Sequence, residues 1–95
     1  MVQTPDVRGV IHDFTDFFKQ LDDKNTKIVK IVASDMLSCT ITKPPGKMGA
    51  DICFGSSQRF GVPMGFGGPS AAFFASHAKY VRKMPGRIIG RSIDA

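Results

Sequence analysis

The stretch from Gly55 to Phe74, GSSQRFGVPMGFGGPSAAFF, restricts the possible folds of this chain more than any other segment. It contains five of the ten glycines in the 95 residues. Glycine loses the most backbone entropy on folding, and proline cannot donate to a hydrogen-bond ladder, so this stretch is a poor helix and a poor central strand. The sequence therefore predicts a long connection with apolar residues threaded through it.

The segments around this connection follow the hydrophobic patterns of helices and strands. Residues 10–21 predict an amphipathic helix, because apolar side chains recur on one face: Val10, Phe14, Phe17, Phe18 and Leu21. Three short runs rich in β-branched or aromatic residues predict strands: KIVKIVAS (27–34), DICFGS (51–56) and AAFFAS (71–76). This alternation predicts an α/β fold.

Three further segments complete the predicted organisation. The proline- and glycine-containing TKPPGKMGA (42–50) predicts a connecting loop. The segment SHAKYVRKM (76–84) predicts a short helix with Ser76 as its N-cap. RIIG (87–90) predicts a last extended piece.

Polar residues follow two of the predicted strands at the edge where α/β proteins bind ligands. Asp35 follows the first strand, and the second ends in the run Gly55, Ser56, Ser57, Gln58, before Arg59. Hydroxyls, backbone N–H groups and a guanidinium are the usual donors to an anion. Neither GxGxxG nor GxxxxGK[ST] is present. Two interpretations stay open, an anion-binding edge and a glycine loop that passes close to another segment, and composition favours the second.

Composition excludes several classes of protein. With 42% hydrophobic and 22% charged residues, the chain is globular. Its apolar runs are far shorter than the ~20 residues that span a bilayer, and its start resembles no targeting peptide. Cys39 and Cys53 form no CxxC pair and lie in apolar contexts, so we expect buried thiols; a disulfide stays open. His12 and His77 lie far apart, and no metal site is predicted.

The net charge of +5 raises the question of an anionic partner. Basic residues cluster towards the C-terminus: Lys79, Arg82, Lys83, Arg87 and Arg91. One hypothesis is therefore a basic α/β module that binds an anion or a nucleic acid. A solvated surface is the favoured interpretation, because no nucleic-acid motif accompanies the cluster.

Long motifs give the chain a specific family resemblance. GADICFGSSQRFGVPMGFGGPSAAFFA followed by MPGRIIG resembles the P-protein of the glycine cleavage system, the decarboxylating glycine dehydrogenase. VQTPDVRGVIHDF, ASDMLS and KPPG match the same family in the same order, so the resemblance runs from Val2 to Ala95. Two positions depart from the family pattern: Ser70 stands where the family usually has histidine, and Arg91 where a small apolar residue is usual.

The resemblance implies the context in which these residues act. P-proteins have the aminotransferase-like fold type I, use pyridoxal phosphate to decarboxylate glycine, and pass the aminomethyl group to the lipoyl arm of the H-protein. Residues 1–95 resemble part of the large domain in the N-terminal, non-catalytic half, without an internal boundary. We therefore expect a fragment of a longer chain, inactive alone, in which Met1 need not be the natural start. Its partners are then the other half or subunit, the H-protein and glycine, with no nucleic acid and no membrane. Its compartment is the bacterial cytoplasm or the mitochondrial matrix.

The resemblance also assigns expectations to the residues at the predicted sheet edge. The catalytic half of the family carries its cofactor lysine in a segment of the form HK-T-F-x-x-P-H-GGGGP, which places the lysine position on Gln58 and the preceding histidine on Ser57. A carboxamide forms no Schiff base, so no catalytic residue and no covalent cofactor are expected here. Asp35 corresponds to the acid that pairs with the pyridinium nitrogen, and without the lysine we expect it to be structural. The remaining candidates for contact with the cofactor lie in the loop: Ser56, Ser57 and Arg59.

Overall fold

A four-stranded mixed sheet organises the chain in the computed structural model, which describes residues 1–24 and 27–86. The strands are β1 (Val2–Thr4), β2 (Ile31–Ser34), β3 (Ile52–Ser56) and β4 (Ala72–Ser76), in the order β1-β2-β3-β4. The first three strands are parallel, and β4 is antiparallel to β3. Helix α1 (Thr15–Lys24) connects β1 to β2, and the short helix α2 (Pro45–Met48) precedes β3. The predicted α/β fold is confirmed.

The core lies on the face of the sheet that the helices cover. Its buried side chains come from both helices, from β2 and from the turn between α2 and β3: Phe18, Val32, Met48 and Ala50. Side chains alternate along a strand, so Val32 and its register partners, Val2 of β1 and Cys53 of β3, share that face. The neighbouring pair Ile31 and Ile52 belongs to the opposite face.

Helix α1 begins five residues later than predicted. The amphipathic pattern starts at Val10, but the Val10 N–H donates to the Asp6 carboxylate at 3.0 Å, and the His12 N–H donates to Thr4 Oγ1 at 3.0 Å. Both backbone N–H groups therefore form hydrogen bonds in a turn over the end of β1, and these residues are not helical. The prediction of a helix over residues 10–21 is therefore wrong at its start.

The predicted strands 51–56 and 71–76 are confirmed to within one residue as β3 and β4. The predicted strand 27–34 is shortened to β2, because the Lys30 N–H donates to the carboxylate of Asp51 at 2.9 Å, not to a neighbouring strand. The predicted loop 42–50 contains α2, which Pro45 begins and the left-handed Gly49 ends. Strand β1 was not predicted, since three residues carry no periodic pattern.

The segment after β4 is helical, but its predicted cap is wrong. A 3-10 helix spans Ala78–Lys83, and its N-cap is His77, which makes no side-chain capping bond. Ser76 is the last residue of β4, and its hydroxyl donates to the His77 carbonyl at 3.3 Å. The predicted extended piece 87–90 lies outside the described residues. Among the described residues, no helix has the length and apolarity needed to cross a membrane.

Candidate functional site

The carboxyl ends of β1, β2 and β3 meet at one edge of the sheet, because these strands are parallel. A cleft of about 260 Å³ opens there, and its walls include Thr4, Ser34, Asp35, Gly55 and Ser56. Sequence reasoning predicted polar residues at this edge from the strand pattern, and the structure brings Asp35 and Ser56 to the same cleft.

Asp35 and Arg59 form an ion pair across this edge. Arg59 Nη1 donates to Asp35 Oδ2 at 2.5 Å, and the other carboxylate oxygen, Oδ1, accepts the Leu37 N–H at 3.2 Å. The Asp35 side chain is 18% exposed and the Arg59 side chain 68% exposed, so the carboxylate lies inside the edge and the guanidinium at its rim. Both oxygens of the carboxylate therefore already accept a hydrogen bond.

The side chain of Gln58 joins the two ends of the glycine-rich loop. Its Nε2 donates to the Pro69 carbonyl at 2.9 Å, and its Oε1 lies 3.3 Å from the Ser56 hydroxyl. The Gln58 N–H donates to Ser56 Oγ at 3.2 Å, and the Ser57 N–H donates to the Ala71 carbonyl at 3.0 Å. The amides of residues 57 and 58 and the carboxamide are thus used inside the loop.

Gly55 lets β3 pass unusually close to the end of β2. The pairing of β2 with β3 ends at Ala33 and Phe54, and the next residues are Ser34 and Gly55. A Cβ built on Gly55 would lie 1.8 Å from the Ser34 carbonyl oxygen and 3.1 Å from the Phe73 ring. The interpretation of the glycine stretch as a close backbone approach is confirmed at this residue.

A second polar cluster, which sequence reasoning missed, lies at the opposite end of β3. Buried Asp51 accepts the Lys30 N–H through Oδ2 at 2.9 Å and the ammonium of Lys79 through Oδ1 at 3.3 Å. Burial acts to raise the pKa of Asp51, but the hydrogen bond from Lys30 and the interactions with Lys79 outweigh it and hold the pKa below its ordinary value. Lys79 also lies 5.0 Å from the centre of the Tyr80 ring. Lys79, one of the basic residues clustered towards the C-terminus, therefore forms an ion pair within the protein.

The two cysteines are free thiols, each partly buried. Burial, with a smaller contribution from Cys39, raises the pKa of Cys53 to about 11. Cys53 is consequently a neutral thiol near pH 7. Within residues 1–24 and 27–86, no three His, Cys, Asp or Glu side chains are grouped so as to hold a metal ion.

Comparison with known proteins identifies the family. The family described as "Glycine cleavage system P-protein" matches residues 1–95. This chain belongs to the P-protein family. The mitochondrial glycine dehydrogenase (decarboxylating) of Flaveria anomala is 54% identical over 95 residues, which are 100% of this chain and 9% of that protein. The glycine dehydrogenase (decarboxylating) of Vibrio parahaemolyticus is 53% identical over the same 95 residues, 10% of its length. The P-protein segment thus spans about a tenth of the curated relatives it matches.

A solved P-protein structure agrees with the architecture. The crystal structure of glycine decarboxylase (P-protein) of the glycine cleavage system, in inhibitor-bound form, matches with a TM-score of 0.85 and 37% identity. The match covers 98% of this chain and 21% of that one. The predicted fold class, part of a fold type I enzyme, is confirmed for this P-protein segment.

Proposed function

We propose that these residues form part of the non-catalytic half of a P-protein, which decarboxylates glycine and passes the aminomethyl group to the lipoyl H-protein. The observation that carries the proposal is the match to the family over residues 1–95, at 54% identity to a glycine dehydrogenase (decarboxylating). In this proposal the segment supplies one edge of a larger sheet, and the reaction takes place in the other half.

The residues at the carboxyl edge do not fit pyridoxal phosphate, the cofactor that the family implies. Covalent anchoring needs a primary amine, whereas Gln58 offers a carboxamide that is bound to Pro69. The acid that would pair with the pyridinium nitrogen, Asp35, is already paired with the guanidinium of Arg59 and also accepts the Leu37 N–H. This supports a cofactor site in the other half and a structural role for Asp35.

The proposed partners and compartment follow from the same assignment. The other half or subunit of the P-protein is the direct partner, and the lipoyl H-protein and glycine are partners of the complete enzyme. The compartment is the mitochondrial matrix in a eukaryote and the cytoplasm in a bacterium. A plant relative named as mitochondrial and a Vibrio relative support this assignment.

The test uses the complete P-protein that contains these residues, with H-protein and pyridoxal phosphate. We expect release of carbon dioxide from glycine that depends on the H-protein. After borohydride reduction, peptide mass mapping should find the pyridoxyl group on a lysine outside residues 1–95. Absence of glycine-dependent carbon dioxide would refute the enzymatic assignment. A stoichiometric adduct on a single residue within 1–95 would refute the non-catalytic one.

A further inference from the structure

We propose that the guanidinium of Arg59 excludes pyridoxal phosphate from this half by occupying the carboxylate of Asp35, independently of the missing amine at Gln58. The inference rests on the proposed function, since it concerns the half of the P-protein that is proposed to lack the cofactor. It adds a second obstacle, made by a different residue and by different chemistry.

The ion pair uses the group that a cationic ring would need. Asp35 follows β2 directly, and among the described residues that form the cleft walls it is the only acid. Arg59 binds one of its oxygens at 2.5 Å, and the backbone of Leu37 binds the other at 3.2 Å. A protonated ring nitrogen at this position would have to compete with the charge-assisted hydrogen bond from Arg59 for the same carboxylate.

Charge opposes the ring as well. The guanidinium of Arg59 and the carboxylate of Asp35 carry opposite charges, so together they form a neutral pair. A pyridinium placed at Asp35 would then face the guanidinium at short range, where like charges repel. The pair thus converts an edge that would attract a cation into one that does not.

Arg59 does not act by filling the cleft. A cleft of about 260 Å³ stays open between the ends of β1, β2 and β3. Arg59 reaches Asp35 from the rim with 68% of its side chain exposed, so it does not fill the cleft. Occupation of the carboxylate, and not closure of the surface, is the inferred cause of exclusion.

The sequence form of the lysine segment points to the same residue. In HK-T-F the residue after the lysine is threonine, and the aligned residue here is Arg59. A threonine hydroxyl carries no charge and leaves the carboxylate available to a cation. The two differences from the lysine segment of the catalytic half, at Gln58 and Arg59, are adjacent in sequence, yet one removes an amine and the other supplies a cation.

The test restores the two residues separately and together in the complete P-protein. The variants are Gln58→Lys and the double variant Gln58→Lys/Arg59→Thr. Met64→Lys is the control for non-specific labelling, because residue 64 lies in the same loop and is 88% exposed. Each protein is incubated with pyridoxal phosphate and reduced with borohydride, and pyridoxyl occupancy is read at the new lysine by peptide mass mapping.

We expect Gln58→Lys to be labelled no more than the Met64→Lys control, and the double variant to be labelled at least tenfold more. Adding Asp35→Asn to the double variant should return labelling to the control level. Gln58→Lys/Arg59→Met tests the same idea with an apolar residue that resembles arginine in length. Hydrogen exchange of β2 and β3 peptides confirms that each protein is folded.

Two results would overturn the inference: equal labelling of residue 58 with and without Arg59, or labelling of both folded double variants at the level of the control. Neither result bears on glycine decarboxylation by the unaltered protein, which tests the proposed function separately.

Discussion

Gly55 has no room for a side chain, because the Ser34 carbonyl oxygen lies 1.8 Å from where its Cβ would be. Gly46, in the first turn of α2, has no atom within 4 Å of its virtual Cβ and no left-handed backbone. The two glycines therefore differ in the space around them. They form a matched pair for testing whether the close approach of β2 and β3 holds the edge together.

Replacement of Gly55 by alanine should destabilise the protein by roughly 2–4 kcal/mol, since backbone must move to admit the methyl group. Gly46→Ala should change stability by no more than about 1 kcal/mol, with stabilisation as the expected sign. Urea unfolding of the complete P-protein variants, followed by hydrogen exchange in β2 and β3, measures both. Equal stability of the two variants would show that the close approach of β2 and β3 does not restrict residue 55 to glycine.

A contact between two residues could be predicted only where the strand pattern placed both of them. Asp35 and Ser56 were predicted at one edge because each follows or ends a strand-like run. The pairing of Asp35 with Arg59 was not, since it depends on the path of the loop, which turns at left-handed Gly61 with φ of 104°. Asp51 was missed because a single acid at the start of a strand has no periodic partner.

At the scale of elements, Asp51 connects β2, β3 and the 3-10 helix Ala78–Lys83. It binds the backbone of Lys30 before β2 and the side chain of Lys79 in the 3-10 helix, and its own carbonyl accepts the His77 N–H at 3.1 Å. The same residue thereby shortens β2 and holds the segment after β4. This is the physical reason why the predicted start of the strand, residue 27, was wrong.

Asp51→Asn should lower stability in a pH-dependent way. The folded-state pKa of Asp51 lies below its ordinary value, so the ionised carboxylate stabilises the fold above about pH 4, and this stabilisation is lost as the pH falls further. We expect a loss of about 1–3 kcal/mol at pH 7 that shrinks below about pH 4. Urea unfolding at several pH values measures the difference from the unaltered protein. A difference that stays constant down to pH 2 would contradict the assigned role.

Element boundaries depended on side-chain bonds that apolar periodicity does not report. Asp13 accepts the Thr15 N–H at 2.9 Å where α1 begins, and Lys43 donates to Asp13 at 3.3 Å. Of the five residues on the predicted apolar face, Phe14, Phe18 and Leu21 pack in or against the core, as predicted. Val10 and Phe17 are exposed, so the prediction is wrong for these two residues. The apolar pattern could not predict where the helix begins, because capping is decided by polar neighbours, one of them 30 residues away.

At the scale of the whole molecule, the helices α1 and α2 cover one face of the sheet and leave apolar residues on the other. Phe74 is 51% exposed and Val29 is 40% exposed. They line an open cleft of about 240 Å³ together with Ile52, Tyr80 and Met84. Largely parallel sheets are normally covered on both faces, so this face is typical of a segment that belongs in a larger domain.

The 95-residue polypeptide alone should therefore be poorly soluble or lack fixed packing. We expect it to bind a dye for exposed apolar surface and to unfold over a broad temperature range. Phe74→Ser should reduce dye binding more than Phe66→Ser, because Phe66 is fully exposed on the loop and outside the uncovered face. A sharp cooperative transition of the monomer, measured by calorimetry, would contradict this expectation.

The exclusion proposed for the Arg59–Asp35 pair also bears on how a half of this kind could come to hold a cofactor. A mutation that restores lysine at residue 58 would create an amine beside an acid that Arg59 still neutralises. A mutation that removes Arg59 would release the acid where no amine exists. Under this proposal neither single change creates a cofactor site on which selection could act, so two changes are required within one lineage. A half that carries this pair is therefore expected to remain without cofactor until both residues change.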